Sequence, residues 1–230
     1  MDFFSQLQAA TDSERQEFLG APVIQQTLNG VVALETYIAF LGEAYHHVKH
    51  TLPLLMTCGG RLPERVNWLR TAVAEYIAEE IGHEEWILND IKASGGDAET
   101  VRNGQPGMAT ELMVAYAYDT VQRNNPVGFF GMVFVLEGTS IALATRAAEI
   151  TRTALGLPQQ AFSYLESHGT LDLEHMQFFE KLMNRISAAE DHFPIAAADV
   201  EGFPVLQFIS RSINRDATFR WHQHAKQQVN

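Results

Sequence analysis

Apolar residues recur along most of this chain at intervals of three and four residues, the spacing of an amphipathic helix. Runs that alternate apolar and polar positions, which would indicate strands, are nearly absent. Clusters of glycine, proline and asparagine separate the helical segments. The pattern predicts helices at residues 13–28, 32–57, 63–93, 108–123, 127–155, 159–187 and 203–225.

Several helix ends have a local cause in the sequence. Asn125 and Pro126 are predicted to begin the fifth helix, because asparagine caps a helix and proline at the first position needs no N–H. Gly59 and Gly95 are predicted to follow their helices in the left-handed conformation. Pro53 lies inside the second predicted helix and should kink it.

The fifth predicted helix is the most apolar of the seven. Phe130, Phe134 and Leu143 stand there among glycine and alanine, as in a helix at the centre of a bundle. The chain has no repeat and no linker, and residues 188–202 are the best candidate for an irregular segment. We therefore predict a single all-α domain, residues 1–230, built as a bundle of about seven helices.

Composition narrows the classes of function. The chain carries 28 acidic against 16 basic residues, a net charge of −12, so neither nucleic acid nor an anionic membrane is predicted as a partner. The single cysteine, Cys58, excludes an internal disulfide and a cysteine-based zinc ribbon. The N-terminus has no basic region of a secretory signal, and no stretch approaches about 18 consecutive apolar residues. A soluble, cytoplasmic protein is expected.

The strongest chemical signal lies in the sixth predicted helix. His168, Asp172 and His175 are spaced four and three residues apart, so their side chains share one helix face. Two imidazoles and one carboxylate on a common face can bind iron, manganese or zinc. The alternative is a polar face on which Asp172 pairs with a protonated histidine.

The third predicted helix carries a second candidate group. Glu80 and His83 form a Glu-x-x-His pair, the spacing found in carboxylate-bridged di-iron bundles. Glu79 is a competing choice for the carboxylate. The alternative is a solvated acidic face, to which Glu84 and Glu85 are assigned.

Glu137 lies in the most apolar helix of the chain. Burying an ionised carboxylate without a partner costs several kcal/mol, so Glu137 needs a cation, a set of hydrogen-bond donors or a raised pKa. A pair of metal ions would supply the cation. A hydrogen-bonded glutamate in the core is the alternative.

The second predicted helix presents Glu43, His46, His47 and His50 on one broad face. We favour Glu43 as the carboxylate that points inward. His46 or His47 could replace it as a ligand or support a ligand by hydrogen bonding. His50 is assigned to the surface.

Together these signals place metal-binding residues on four separate long helices, which is the geometry that a dinuclear site in a bundle requires. The predicted ligand set contains four carboxylates and three imidazoles. Its members are Glu43, Glu80, His83, Glu137, His168, Asp172 and His175.

These motifs resemble the heme-oxygenase-like superfamily that includes TenA and PqqC, and within it the di-iron oxidases and oxygenases known as iron-containing redox enzymes. The resemblance covers about residues 20–225. It rests on the segment Pro22–Gly30 leading into Tyr37-x-x-Phe40-Leu41, on Glu80-x-x-His83-Glu84-x-Trp86, on Glu137, and on His168-x3-Asp172-x2-His175.

The resemblance implies a heme-oxygenase-like bundle with two labile irons per chain, with manganese as the alternative metal. It also implies dioxygen chemistry on a small organic substrate and a homodimer. The relatives catalyse different reactions, and the fold does not choose among them. Cys58 lies at a predicted helix end rather than inside the bundle, which argues against a TenA-type thiaminase.

Three hypotheses follow. The first is a non-heme di-iron oxidase or oxygenase that oxidises a small organic substrate with dioxygen. The second is a metal-free TenA/PqqC-like protein that binds a small molecule or has a regulatory role. The third is a structural bundle with exposed polar faces. Arg146 could hold a substrate carboxylate, and five apolar side chains could form a pocket wall or belong to the core: Phe129, Phe130, Met132, Phe134 and Met176.

Overall fold

The computed structural model describes residues 1–197, with backbone only for residues 169–174. All regular elements in this part of the chain are helical. The α-helices are α1 (Phe3–Ala10), α2 (Asp12–Leu19), α3 (Pro22–Leu28), α4 (Leu34–Val48), α5 (Thr51–Arg61), α6 (Leu69–Glu80), α7 (His83–Ala93), α8 (Ala98–Asn103), α9 (Met108–Arg123), α10 (Phe129–Leu155) and α11 (Ser163–Arg185). Short 3₁₀ turns occupy Glu64–Val66, Pro126–Gly128 and Gln159–Ala161.

Three of the long predicted helices are each divided in two. The break between α2 and α3 falls at Gly20, and Pro22 then starts α3 at its first position, where its missing N–H costs nothing. The break between α6 and α7 falls at Gly82, whose φ of 91° ends the helical run. Two short helices, α1 and α8, were not predicted.

The break between α4 and α5 corrects the predicted role of Pro53. The chain turns at Lys49 and His50, and Pro53 lies in the first turn of α5, where a proline is tolerated without a kink. Gly59 is also placed differently, inside α5. A Cβ atom at Gly59 would lie 3.0 Å from the side chain of Val73 on α6, so this glycine permits the two helices to pack closely.

Other predicted helix ends are confirmed. The Asn125 side chain accepts a hydrogen bond from the Val127 N–H, and Pro126 starts the turn that leads into α10. Gly95 follows α7 with a φ of 82°. Residues 189–197 are helical, although this region was predicted to be irregular. The predicted helix 203–225 lies outside the described residues.

Helix α10 is central, as its sequence predicts, and packs against α3, α9 and α11. Residues Pro126–Leu155 are also, among the described helices, the one stretch that is long and apolar enough to cross a membrane. Half of its most apolar window is buried inside the bundle, which is the pattern of a core helix. The expectation of no membrane partner stays a prediction.

Two clusters of buried apolar side chains lie at opposite ends of the α10–α11 pair. One contains Phe134 and Phe179, whose rings stack with centroids 5.7 Å apart. The other contains Ala144 and Leu165. The middle of both helices therefore lies between two apolar cores, and this middle section carries the predicted polar residues of α10 and α11.

Candidate metal centre

The break between α6 and α7 forms the first part of the site. Glu80 is the last residue of α6 and His83 is the first residue of α7, with the left-handed Gly82 between them. The Glu80 Oε2 atom nevertheless lies 3.1 Å from His83 Nδ1. The predicted pair is thus brought together by a glycine-mediated turn and not by one continuous helix.

His168 on α11 completes a group of three. The candidate ligand atoms of Glu80, His83 and His168 all lie within 4.8 Å of one another. The imidazoles of His83 and His168 meet edge to face, with ring centroids 4.9 Å apart. His168 Nδ1 lies 2.9 Å from the Tyr164 carbonyl oxygen. Because a carbonyl can only accept, Nδ1 carries the proton, and in the neutral ring Nε2 keeps the lone pair that a metal requires.

A second group lies around His175 on α11. Its Nε2 atom is 2.8 Å from Glu79 Oε2, and its Nδ1 atom is 3.8 Å from Glu137 Oε1. The Glu137 side chain is 12% exposed, whereas that of Glu79 is 52% exposed. His175 thus lies between a buried carboxylate of α10 and a solvated carboxylate of α6.

Glu80 links the two groups electrostatically. Burial alone would raise the pKa of Glu80, but the hydrogen bond from His83 and the attraction of His83, His168 and His175 outweigh it and hold the pKa below its ordinary value of 4.5. The Glu80 carboxylate therefore stays ionised in a buried position, next to histidines of both groups. A buried anion among imidazoles is a suitable environment for a divalent cation.

Glu43 is not brought to this site. Its carboxylate accepts hydrogen bonds from the Gly107 N–H, at 3.0 and 3.2 Å, and from the Thr110 hydroxyl. These groups belong to the N-terminus of α9, where the helix dipole favours a negative charge. The geometry therefore gives no support to Glu43 as a metal ligand.

His47 is the histidine of α4 that lines the cavity beside the site. Its ring lines the same cavity as Glu80, Glu137 and His168. Its Nδ1 atom donates to the Glu43 carbonyl oxygen at 3.1 Å, which leaves the Nε2 lone pair available. Burial, reinforced by the nearby His168, lowers the pKa of His47 to about 4, so the imidazole is neutral at neutral pH.

The remaining predicted residues have different surroundings. His46 is buried, and its Nδ1 atom lies 3.2 Å from the Lys49 ammonium. His50 contacts the Tyr118 hydroxyl at 3.1 Å. The backbone of Asp172 is part of α11, but its side chain lies outside the described residues, so its role as a ligand stays a prediction.

Asp90 on α7 supports the site from behind and was not predicted from the sequence. It is fully buried, and its carboxylate accepts hydrogen bonds from the Ser163 N–H at 3.0 Å, the Ser163 hydroxyl at 2.5 Å and the Tyr164 N–H at 2.9 Å. Burial raises the pKa of Asp90 despite these donors. Asp90 thereby anchors the first turn of α11, whose Tyr164 carbonyl orients His168. The sequence does contain a sign of this buried carboxylate, because Asp90 lies between Leu88 and Ile91 in an apolar stretch.

A cavity of about 300 Å³ adjoins the metal-binding residues. Two predicted wall residues, Phe129 and Met132, line it. Phe130 and Phe134 are instead buried in the first core cluster, and Met176 packs against that cluster. Arg146 is exposed on α10 and is not among the described residues that line the cavity, so the structure does not support its role in holding a substrate carboxylate.

Solved structures with a similar fold share little sequence with this chain. A domain of unknown function with a heme oxygenase-like fold from Shewanella denitrificans has a TM-score of 0.85 at 22% identity, covering 96% of this chain and 95% of its own. A TenA homolog from Pseudomonas syringae has a TM-score of 0.79 at 9% identity, covering 93% of each chain. Heme oxygenase-1 from Synechocystis, solved with heme, has a TM-score of 0.76 at 10% identity and full coverage of both chains.

These similarities show an all-α, heme oxygenase-like fold, as the sequence motifs implied. The search of curated proteins found no match. The model of one family, described as iron-containing redox enzymes, matches residues 38–200, a span that includes the residues of both groups. The chain therefore belongs to the family of iron-containing redox enzymes and has its heme oxygenase-like fold.

Proposed function

We propose that this protein is a non-heme oxidase or oxygenase that holds two irons per chain and uses dioxygen to oxidise a small organic substrate. The observation that carries the proposal is the convergence of Glu80, His83 and His168 within 4.8 Å, with His175 and Glu137 3.8 Å apart beside them. Carboxylates and imidazoles are the ligands that iron takes in oxygen-dependent enzymes.

The residues fit a pair of irons in number and in ligand type. The ligands are divided between a group of Glu80, His83 and His168 and a group of Glu137 and His175, with Glu80 close to both. Bound iron would supply the activation of dioxygen and the oxidation of the substrate. Manganese is the other metal that this donor set suits.

His47 replaces Glu43 as the proposed contribution of α4. Its neutral imidazole needs to lose no proton before it binds a metal, because its pKa is about 4. The Glu43 backbone carbonyl holds His47 Nδ1–H and so fixes which nitrogen is free. Glu79 could bind at the edge of the second group, where its carboxylate already contacts His175.

An anaerobic titration of the metal-free protein with Fe(II) tests the proposal. We expect uptake of about two irons per chain and, once oxygen is admitted, a change in visible absorbance. Mn(II) is a control metal for the binding step. No uptake of iron by a folded chain would contradict the proposal.

A variant separates the two groups. His175→Ala is expected to reduce the uptake to about one iron per chain, because the second group loses its only described imidazole. Gln177→Ala, at an exposed position two residues further along α11, is the matched control and should bind iron as the parent protein does. Normal iron uptake by His175→Ala would refute the assignment of this ligand.

The cavity favours a second candidate function, that of a metal-free protein that binds a small molecule. Its apolar lining would suit a ligand without any contribution from iron. This candidate predicts that an organic ligand raises the melting temperature, whereas Fe(II) does not. The homodimer and the cytoplasmic location remain proposals that size measurements and localisation of the tagged protein would test.

A further inference from the structure

We propose that the substrate of this site is a molecule with a long, unbranched aliphatic chain, which lies in the cavity along α10 beside the metal-binding residues. This inference rests on the proposed function, because the cavity wall includes Glu80, Glu137 and His168. The shape and the chemistry of the cavity carry it.

The first argument is the length of the cavity. Its wall includes α10 residues from Phe129 to Thr151, and 22 residues of α-helix span about 33 Å at 1.5 Å per residue. A volume of about 300 Å³ spread along such a length describes a narrow channel. A channel of this shape suits an extended chain better than a wide, rigid ring system.

The second argument is the position of the polar residues along the channel. Glu137 lies eight residues after Phe129 and fourteen before Thr151, so about 12 Å of helix precedes it and about 21 Å follows it. The channel therefore extends in both directions from the metal-binding residues. The longer arm runs towards the C-terminal end of α10.

The third argument is the chemistry of the longer arm. Its wall is mainly apolar: Val23, Ile24 and Leu28 of α3 and Leu143 and Ala147 of α10 line it, with the uncharged hydroxyl residues Thr27, Ser140 and Thr151. Among the described residues that line the cavity, the charged ones are Glu80 and Glu137 alone, both at the metal-binding residues. An apolar wall binds methylene groups through burial and gives a charged group no compensation, so the substrate chain is uncharged along its length.

Helix α3 forms one side of this arm. It has no fully buried residue, yet it packs on α10, and Ile24 and Leu143 join a small apolar cluster with Phe18 and Val135. Its inner side chains are thus only partly covered by protein. A substrate chain in the arm would bury these side chains further, and this burial of apolar surface would favour binding.

Binding of straight-chain 1-alkanols to the metal-free full-length protein tests the inference. We expect the affinity to rise about fourfold with each added methylene until the arm is full, and then to level off. A cyclic alcohol with the same number of carbons should bind at least about tenfold more weakly, since it fits a narrow channel less well. Calorimetry or a thermal-shift titration would measure both effects.

Two variants on α10 test where the aliphatic chain of the ligand lies. Ala147→Phe fills the longer arm, and the affinity should then level off at a chain several carbons shorter. Ala142→Phe adds the same ring on the exposed face of the same helix and should leave the series unchanged. Equal binding of straight and cyclic alcohols, no dependence on chain length, or an unaltered series in Ala147→Phe would each overturn the inference.

The iron titration distinguishes this inference from the proposed function. Iron uptake without a preference for chain length would overturn the substrate class and leave the oxidase proposal intact. A chain-length series in a protein that takes up no iron would overturn the oxidase proposal, and the class of ligand would stand.

Discussion

The buried and half-buried carboxylates of this protein fall into two classes that the sequence does not distinguish. Glu43 and Asp90 bind the N-termini of α9 and α11, where backbone N–H groups and side-chain hydroxyls surround them. Glu80 and Glu137 instead face histidines. The difference teaches that an inward carboxylate takes its role from what lies opposite: helix ends make it a structural anchor, and imidazoles make it a candidate ligand.

The largest expected contrast is in iron binding. Glu80→Ala should weaken Fe(II) binding at least about a hundredfold, because it removes the carboxylate shared by the histidines. Glu43→Ala should change the affinity very little, since its carboxylate is occupied at α9. Anaerobic titrations of the two variants, with the exposed Glu75→Ala as control, would measure this. Equal losses of Fe(II) affinity in Glu80→Ala and Glu43→Ala would contradict the proposed difference between the two carboxylates.

The next largest effect is on stability. Asp90→Ala should lower the free energy of unfolding by about 3 kcal/mol, because it leaves three half-buried donors without their acceptor. Iron affinity should fall as well, since the first turn of α11 orients His168. Denaturant unfolding and Fe(II) titration would measure the two effects. Asn89→Ala, at the exposed neighbouring position, is the control. A stable Asp90→Ala protein would show that α11 needs no anchor.

His47 is expected to make the stability of the metal-free protein depend on pH. Its pKa of about 4 in the folded chain lies below the ordinary 6.5. Between these two pH values the imidazole is therefore protonated in the unfolded chain and neutral in the folded chain. Stability is therefore lost as the pH falls from 6.5 towards 4. In the metal-free protein, His47→Gln should reduce the loss of stability between pH 7 and pH 4.5 by about 2 kcal/mol. Identical pH profiles for parent and variant would contradict a neutral His47 in the folded chain.

The smallest expected effect tests the charge at a helix end. Glu43→Gln keeps an oxygen acceptor for Gly107 and Thr110 but removes the negative charge at the N-terminus of α9. We expect a loss of about 1 kcal/mol in unfolding free energy, with iron uptake unchanged. Glu75→Gln, at an exposed position in the middle of α6, is the control for the loss of a charge away from a helix end. A variant that loses iron instead would return Glu43 to the ligand set.

Much of the fold could be predicted because helical periodicity and local punctuation are properties of short segments. The apolar α10, the cap at Asn125 and the left-handed Gly95 all follow from neighbours in sequence. The breaks at Gly20 and Gly82 were missed although glycine is a local signal for a break, because apolar spacing continues across them, and the turn at His50 has no such signal.

The candidate site was only partly predictable for the same reason. The sequence by itself determined which residue types could bind a metal and that His168 and His175 lie on one helix, whereas the turn that brings Glu80 and His83 together was not predicted. Only the tertiary structure shows that Glu43 binds the N-terminus of α9 while His47 lines the cavity, because both lie on α4 and their surroundings depend on which helix stands opposite each one. Periodicity fixes the direction of a side chain about its own helix axis, whereas its partner is set by the packing of helices that are distant in sequence.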